Sequence, residues 1–144
     1  MNIGRLTDMI VRHEGSKVRD GRHMPYKDTV DKLTIGYGRN LTDRGISEQE
    51  ARSMLVNDIQ DVINELRAKL FYFDSLDDVR QEILVDMGFN LGVPGLLKFR
   101  TTLGYVQEGE YALASKAMLD SLWADQVGYR AQELSQMMAT GESA

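Results

Sequence analysis

The chain has 144 residues, enough for one domain with its own hydrophobic core, and it contains no cysteine. The absence of cysteine excludes disulfides, thiol nucleophiles and zinc–thiolate sites, so catalysis would need carboxylates, hydroxyls or the two histidines. The formal net charge of −5 argues against nucleic-acid binding, because phosphate contacts require a basic surface. No stretch approaches the roughly 20 apolar residues of a membrane span, so we expect neither a signal peptide nor an anchor.

The charge is unevenly distributed along the chain. Residues 1–46 contain nine Lys or Arg against six Asp or Glu, whereas residues 47–144 contain eight against sixteen. Such a split most often reflects different solvated faces. Here it separates a mildly basic N-terminal part from an acidic remainder.

The first 40 residues predict one helix followed by short strands. Asn2 can cap a helix that carries Glu14 in its last turn. Residues 16–40 are rich in Gly, Asp, Tyr and Thr, and strand-like runs occur at 25–28 and 33–37. We interpret this segment as a small antiparallel β-unit.

The rest of the chain predicts helices. Ser47 and Glu50 have capping-box spacing and open a predicted helix at 47–70. Ser75 is predicted to cap the next helix, which ends at Gly92. Further helical segments are expected at residues 101–107, 111–123 and 129–139. The predicted class is α+β, dominated by helix.

Two carboxylates and a hydroxyl stand out in the N-terminal part: Glu14, Asp28 and Thr34. Hydrolysis of a glycosidic bond needs one carboxylic acid to protonate the leaving oxygen and one carboxylate to activate water. A helix C-terminus disfavours negative charge, which suits a general acid at Glu14. By spacing alone, however, these residues are more often a helix-end residue, a turn former and a strand residue.

A longer pattern contains these three residues. The segment HEGSKVRDGRHMPYKDTVDKLTIGYGRNLT combines Glu-Gly, Tyr-Lys-Asp and Thr-Ile-Gly-x-Gly. It resembles phage-type lysozymes, the endolysins classed as glycoside hydrolase family 24 muramidases. The resemblance continues in DSLDDVRQEILVDMGFNLG, KFRTTL and SLWADQVGYRAQELSQMMATG, so nearly the whole chain is covered. It implies a lysozyme-like fold, with a small antiparallel β N-lobe and a helical C-lobe joined by a long helix.

The lobes expected from this reasoning have approximate boundaries within a single lysozyme domain, residues 1–144. The β-containing lobe is expected at 13–46. The helical lobe is expected to combine 71–144 with 1–12, and helix 47–70 is expected to join the two.

The resemblance also implies roles for individual residues. The family's catalytic residues fall on Glu14, Asp28 and Thr34. The expected glycan-groove residues are Arg39, Asn40, Phe89 and Thr102. An Arg of the family that approaches the catalytic Glu falls on Arg130, and a Trp of the family falls on Trp123, for which we expect core packing. His13 is expected to have a structural or supporting role rather than to act as a base, because its side chain and that of the adjacent Glu14 point in different directions on the helix. Phe89 is more often a core residue, Thr102 could be a helix N-cap, and Arg130 could form a surface salt bridge of little energetic weight.

Two departures from the family pattern concern the rim of the expected groove. The step from Glu14 to Asp28 is fourteen residues, about five more than is common in the family, and the extra residues fall within 17–25. Arg39 stands where many relatives have His. The insertion is rich in Arg and His, so the shape of the rim is expected to differ.

The expected activity is hydrolysis of the β-1,4 bond between N-acetylmuramic acid and N-acetylglucosamine, by an inverting mechanism, in host-cell lysis. Glu14 would be the acid, and Asp28 would activate water with Thr34. No metal or other cofactor is expected. The expected partner is the peptidoglycan glycan strand, with a holin-type membrane permeabiliser needed for access. We expect a monomer that resides in the host cytoplasm until its release to the periplasm or cell wall at lysis.

Two alternatives remain open at the level of the sequence. A lytic transglycosylase would also cleave peptidoglycan but needs only the acid, so Asp28 and Thr34 argue against it. A non-catalytic peptidoglycan-binding module could keep the fold without the activity. The complete set of catalytic residues argues against this second alternative.

Overall fold

Helix α1, Ile3–Glu14, is followed by five short strands in the first 40 residues. The strands are β1 Val18–Arg19, β2 Arg22–His23, β3 Tyr26–Lys27, β4 Leu33–Ile35 and β5 Arg39–Asn40. β1 and β2 form a two-stranded antiparallel sheet, and β3, β4 and β5 form a three-stranded antiparallel sheet in that order.

Seven further α-helices follow the strands. They are α2 Glu48–Lys69, α3 Asp78–Leu91, α4 Val93–Leu96, α5 Arg100–Gln107, α6 Tyr111–Leu119, α7 Leu122–Val127 and α8 Tyr129–Thr140. A single 3-10 turn, Phe73–Ser75, lies between α2 and α3. Two small antiparallel sheets combined with mostly helical structure confirm the predicted α+β class. None of the helices is both long and apolar enough to cross a membrane.

The computed structural model describes all residues, Met1–Ala144, and divides into two compact units. The N-terminal unit is Met1–Ser53 and the helical unit is Met54–Ala144. Helix α2 begins in the first unit and ends in the second. The lobe boundaries expected from the sequence stay predictions.

Local capping chemistry explains where the first long helices begin. Asn2 Oδ1 accepts a hydrogen bond from Arg5 N at 2.9 Å, as expected for an N-cap. Ser47 Oγ accepts from Glu50 N at 3.1 Å, and Glu50 Oε1 accepts from Ser47 N at 2.8 Å. This reciprocal pair is the predicted capping box and fixes the start of α2.

The predicted N-cap of α3 was wrong. Asp77 occupies this position, and its carboxylate accepts a hydrogen bond from Arg80 N at 3.2 Å. The Ser75 hydroxyl instead donates to Tyr72 O at 2.7 Å within the 3-10 turn. The sequence SLDD offers several capping residues, and the 3-10 turn, which the sequence did not predict, shifts the helix start by two residues.

The predicted helix at 111–123 is two helices rather than one. Helix α6 ends before Asp120, and Ser121 caps α7 by accepting from Ala124 N at 3.1 Å. The same hydroxyl donates to Met118 O at 2.7 Å, so it bonds both to the end of α6 and to the start of α7. Polar side chains that bond to nearby backbone groups interrupt helices in this way.

The hydrophobic core lies in the helical unit. Its largest fully buried side chains are Phe73, Leu66, Ile83, Leu84, Met87, Leu96, Met118, Met138 and Val106. Trp123 is only 4% exposed, which confirms its predicted packing role. Its Nε1 donates to Asn90 Oδ1 at 2.8 Å, and its ring meets Phe99 edge to face at 5.9 Å between centroids.

Gly88 lets two elements of the helical unit approach closely. A Cβ added there would lie 3.0 Å from Val62 Cγ1, a β-branched side chain with little freedom to move. Overpacking costs about 1–3 kcal/mol, which exceeds the about 0.5–1 kcal/mol gained when Ala replaces Gly in a helix. We therefore expect Gly88→Ala to lower the free energy of unfolding, measured by chemical denaturation.

Gly104, in α5, is the matched control because no atom lies within 4 Å of an added Cβ. Gly104→Ala is expected to raise the free energy of unfolding by about 0.5–1 kcal/mol. Equal gains in stability for both variants would contradict the packing role assigned to Gly88.

Candidate active site

Glu14 is the last residue of α1, and its side chain is exposed. The chain then turns at Gly15, whose φ of 63° ends the helix. A Cβ added at Gly38 would lie 3.7 Å from Glu14 Oε2. The Glu14 carboxyl therefore lies against the backbone of the TIGYG segment, in which Gly38 has a φ of 93°.

Asp28 lies in the turn between β3 and β4. Its Oδ1 accepts hydrogen bonds from Val30 N at 3.0 Å and Lys32 N at 2.9 Å. These two bonds hold the carboxylate in one orientation. The other oxygen, Oδ2, accepts no hydrogen bond from the protein and can bind a small polar molecule.

Thr34 is 4% exposed and lies in the middle of β4. Its register pairs it with Tyr26 on β3 and with Asn40 on β5. Directly opposed residues share one face of an antiparallel sheet. Asp28 N donates to Lys32 O at 2.9 Å, which extends the β3–β4 ladder by one pair, and Asp28 follows Tyr26 by two residues, so its Cβ is on the face of Tyr26. The sheet register therefore places Asp28, Thr34 and Asn40 on the same side.

Two predicted groove residues of this unit make contacts within the protein. Asn40 Oδ1 accepts from Asp43 N at 2.9 Å, and its amide donates to Asp43 Oδ2 at 3.1 Å. Arg39 donates to both carboxylate oxygens of Glu50, at 2.7 and 2.6 Å. This bidentate pair links β5 to the first turn of α2. The predicted contacts of both residues with glycan stay predictions.

The Arg39 guanidinium, together with the Ser47 bonds, lowers the pKa of Glu50 from 4.5 to about 2. Because the pKa is lower in the folded chain, this stabilisation is present above pH 4.5 and is lost as the pH falls toward 2. The wild type is expected to lose melting temperature as the pH falls from 4.5 toward 2. Glu50→Gln is expected to lose less melting temperature over the same range. Melting curves at a series of pH values measure the effect.

The control for this pH series is Glu48→Gln, which breaks an exposed ion pair with Arg52 on the same helix turn. This variant is expected to retain the pH dependence of the wild type. An unchanged pH profile for Glu50→Gln would show that the Arg39–Glu50 pair does not contribute to acid sensitivity.

Three further predicted residues, Thr102, Phe89 and Arg130, belong to the helical unit and line two different cavities. Thr102 lies within α5 rather than at its N-cap, and it is 3% exposed. It lines a cavity of about 730 Å³, and Trp123 also lines this cavity. Phe89 is 45% exposed, so it is not a core residue. It lines a second cavity, of about 530 Å³, together with Asp86 and Arg130.

Arg130 is paired with Asp86, a residue to which the sequence assigned no role. Its Nε lies 3.0 Å from Asp86 Oδ1, an ion pair whose orientation is not that of a hydrogen bond. Asp86 Oδ1 is itself buried. A charged residue inside the apolar run ILVDMGF was the available signal, because a carboxylate among buried helix positions needs a partner.

His13 lies exposed in the last turn of α1 and makes no hydrogen bond or ion pair within the protein. Its supporting role stays a prediction. In the N-terminal unit, Asp28 and Thr34 share one face of the three-stranded sheet, and the Glu14 carboxyl lies against the backbone at Gly38.

Glu14 and Asp28 are of the residue types that hydrolysis of a glycosidic bond requires. Comparison with known proteins gives the family. The phage lysozyme family model matches residues 14–138. Two proteins of Dictyostelium discoideum, "Probable T4-type lysozyme 1" and "Probable T4-type lysozyme 2", are 23% and 24% identical over 168 aligned positions, covering 96% of both chains in each case.

A third relative is the "Pre-baseplate central spike protein Gp5" of Enterobacteria phage T4, 30% identical over 114 positions. The match covers 76% of this chain and 20% of that protein. The chain belongs to the phage lysozyme family. It is a lysozyme, a glycoside hydrolase that degrades peptidoglycan.

Proposed function

We propose that the enzyme hydrolyses the β-1,4 bond between N-acetylmuramic acid and N-acetylglucosamine with inversion of configuration. Glu14 is the general acid, and Asp28 and Thr34 hold the attacking water. The observation that carries this proposal is the shared sheet face of Asp28 and Thr34, with one Asp28 oxygen left open.

The hydrogen bonds of the site determine how a water molecule could bind. Thr34 Oγ1 donates its proton to Lys32 O at 3.0 Å, so its lone pairs can only accept. A water that donates one proton to Asp28 Oδ2 and the other to Thr34 Oγ1 has a lone pair free for attack. The two acceptors thus orient the water as well as activate it.

The proposed reaction transfers two protons in opposite directions. The water oxygen bonds to the anomeric carbon of the muramic acid as the bond to the leaving oxygen breaks. Glu14 gives its proton to that oxygen, and Asp28 receives a proton from the water. An inverting enzyme of this kind needs roughly 6.5–9.5 Å between the two carboxyl groups. The exposed carboxyl of Glu14 is accessible to a polymer substrate.

We also assign glycan contacts to Asn40, Phe89 and Thr102, from the family resemblance together with the exposure of Phe89 and the cavity beside Thr102. Arg39 is also assigned a glycan contact, which it would make while its guanidinium is paired with Glu50. His13 and Arg130 are assigned supporting roles. Asp86 is the residue that would orient Arg130.

In the cell, the proposed role is host lysis by a monomer that reaches the wall from the cytoplasm with the help of a holin-type permeabiliser. Expression in a bacterium should then cause lysis only when a permeabiliser is co-expressed. The likeness to a baseplate central spike protein favours a second role, a lysozyme carried by the virion. Its detection in purified virions by mass spectrometry would support that role.

The test of the reaction is analysis of the muropeptides released by the purified protein. Inverting hydrolysis leaves reducing muramic acid ends that are initially α-anomers, which NMR during the reaction can detect. A lytic transglycosylase would leave non-reducing anhydro ends, which differ in mass by one water. Anhydro ends as the main product would overturn the proposed hydrolysis.

A further inference from the structure

The residues inserted between Glu14 and Asp28 form an ordered hairpin rather than a loose loop. β1 and β2 pair with Val18 opposite His23 and Arg19 opposite Arg22. The two turn residues between the strands, Asp20 and Gly21, both have positive φ, 51° and 76°. This is the Asp-Gly turn that matches the twist of a tight hairpin.

The two faces of the hairpin differ in chemistry. Val18 and His23 lie on one face, and Arg19 and Arg22 lie on the other, because side chains alternate along a strand. Met24 N donates to Lys17 O at 2.7 Å, which extends the ladder by one pair. Lys17 therefore lies on the same face as Arg19, and we call Lys17, Arg19 and Arg22 the cationic face.

The opposite face attaches the hairpin next to Glu14. His23 Nδ1 lies 2.6 Å from Ser16 Oγ, and its ring meets Tyr37 edge to face at 5.1 Å. Ser16 is two residues beyond Glu14, and Tyr37 precedes Gly38, whose added Cβ would lie 3.7 Å from Glu14 Oε2. The hairpin is therefore held at both segments that border the Glu14 carboxyl.

The side chains of the cationic face have no polar partner within the protein. All three are exposed and take part in none of the ion pairs of the structure. Like charges directly opposite on neighbouring strands are destabilising, so the Arg19–Arg22 pair weakens the hairpin on which it lies. An anion bound between the two guanidinium groups would remove this repulsion and add charge-assisted hydrogen bonds.

We propose that the cationic face binds carboxylates of the peptide stems of peptidoglycan and so directs the enzyme to glycan that carries peptides. This inference rests on the proposed cleavage beside muramic acid, because that sugar carries the stem. Lys17 is three residues from Glu14, at most about 10 Å of chain. The hairpin is therefore close enough to Glu14 to contact the carboxylates of stems attached to the strand being cut.

The test compares two double variants that remove equal charge. Arg19→Gln/Arg22→Gln alters the cationic face, whereas Arg5→Gln/Arg44→Gln removes two other unpaired cations of the N-terminal unit. Binding is measured by sedimentation with insoluble peptidoglycan free of wall phosphate polymers, in a Glu14→Gln background that prevents digestion. The same material with its peptide carboxylates amidated is the matched ligand control.

We expect Arg19→Gln/Arg22→Gln to raise the dissociation constant about three- to tenfold on native peptidoglycan and to leave it unchanged on amidated material. The control variant should change it less than about twofold on both. Equal weakening of binding by both double variants would show that general electrostatic attraction, rather than the hairpin, accounts for binding. Weakening that persists on amidated material, or that needs added wall phosphate polymer, would also overturn the proposal.

Folding and turnover are checked separately. Removing the Arg19–Arg22 repulsion should leave the melting temperature equal to or above that of the wild type. If the double variant melted lower, Lys17→Gln alone provides the second test, with an expected loss of binding of about twofold. Failure of the proposed reaction would appear as the wrong muropeptide ends from the wild type, whereas failure of this inference appears only in the binding comparison.

Discussion

Replacing Glu14 by Gln is expected to reduce peptidoglycan hydrolysis by about a thousandfold, within the range that general acid catalysis contributes. Glutamine keeps the size and polarity of the side chain but has no proton of suitable acidity for the leaving oxygen. Because Glu14 is exposed and makes no ion pair, the fold should be unaffected. Release of soluble muropeptides by purified protein measures the loss.

Asp8→Asn is the matched control, since Asp8 is another exposed carboxylate on α1 without an ion pair. Its activity is expected to stay within about twofold of the wild type, because an isolated surface charge contributes little. If Glu14→Gln kept more than about a tenth of the activity at the wild-type melting temperature, Glu14 would not be the general acid.

Replacing Asp28 by Asn is expected to reduce hydrolysis about a hundredfold or more while leaving the turn intact. The amide retains an oxygen that can accept from Val30 N and Lys32 N. The remaining atom becomes an NH2 group, which cannot take up a proton from water at neutral pH. The structure therefore separates the positioning role of Oδ1 from the proposed chemical role of Oδ2.

Two other variants distinguish these roles. Asp28→Ala removes both, so it should lower the melting temperature as well as the activity, whereas Asp28→Asn should lower the activity alone. Asp31→Asn changes a carboxylate of the same turn that pairs only with exposed Lys27, and it should retain near wild-type activity. An active Asp28→Asn variant that releases anhydro ends would instead point to a transglycosylase.

The parts of the fold that the sequence predicted are governed by neighbouring residues. Asn2 and the Ser47–Glu50 pair act on backbone groups within three positions, so their spacing alone predicts the helix starts. The division between α6 and α7 was missed because Ser121 satisfies two helix ends at once. The sequence does not show to which of several nearby backbone groups such a hydroxyl forms hydrogen bonds.

In the candidate site, too, sequence motifs indicated single residues, whereas contacts between positions far apart in the chain were not predicted. The resemblance pointed to Glu14, Asp28 and Thr34, but only the sheet register shows that the last two share a face. The partner of Arg130 lies 44 residues earlier, at Asp86, and no local pattern links positions so far apart. The inserted hairpin was partly predictable, because Asp20-Gly21 is a strong hairpin signal.

Trp123 is the single tryptophan of the chain, and it is buried in the helical unit against Phe99 and Asn90. Intrinsic fluorescence excited at the red edge of protein absorption therefore reports on this unit alone. Far-ultraviolet circular dichroism, by contrast, also records α1 and the first turns of α2. Superimposable melting curves from the two signals would mean that both units unfold as one cooperative transition. Separated curves would give the stability of the helical unit directly, without cutting the chain.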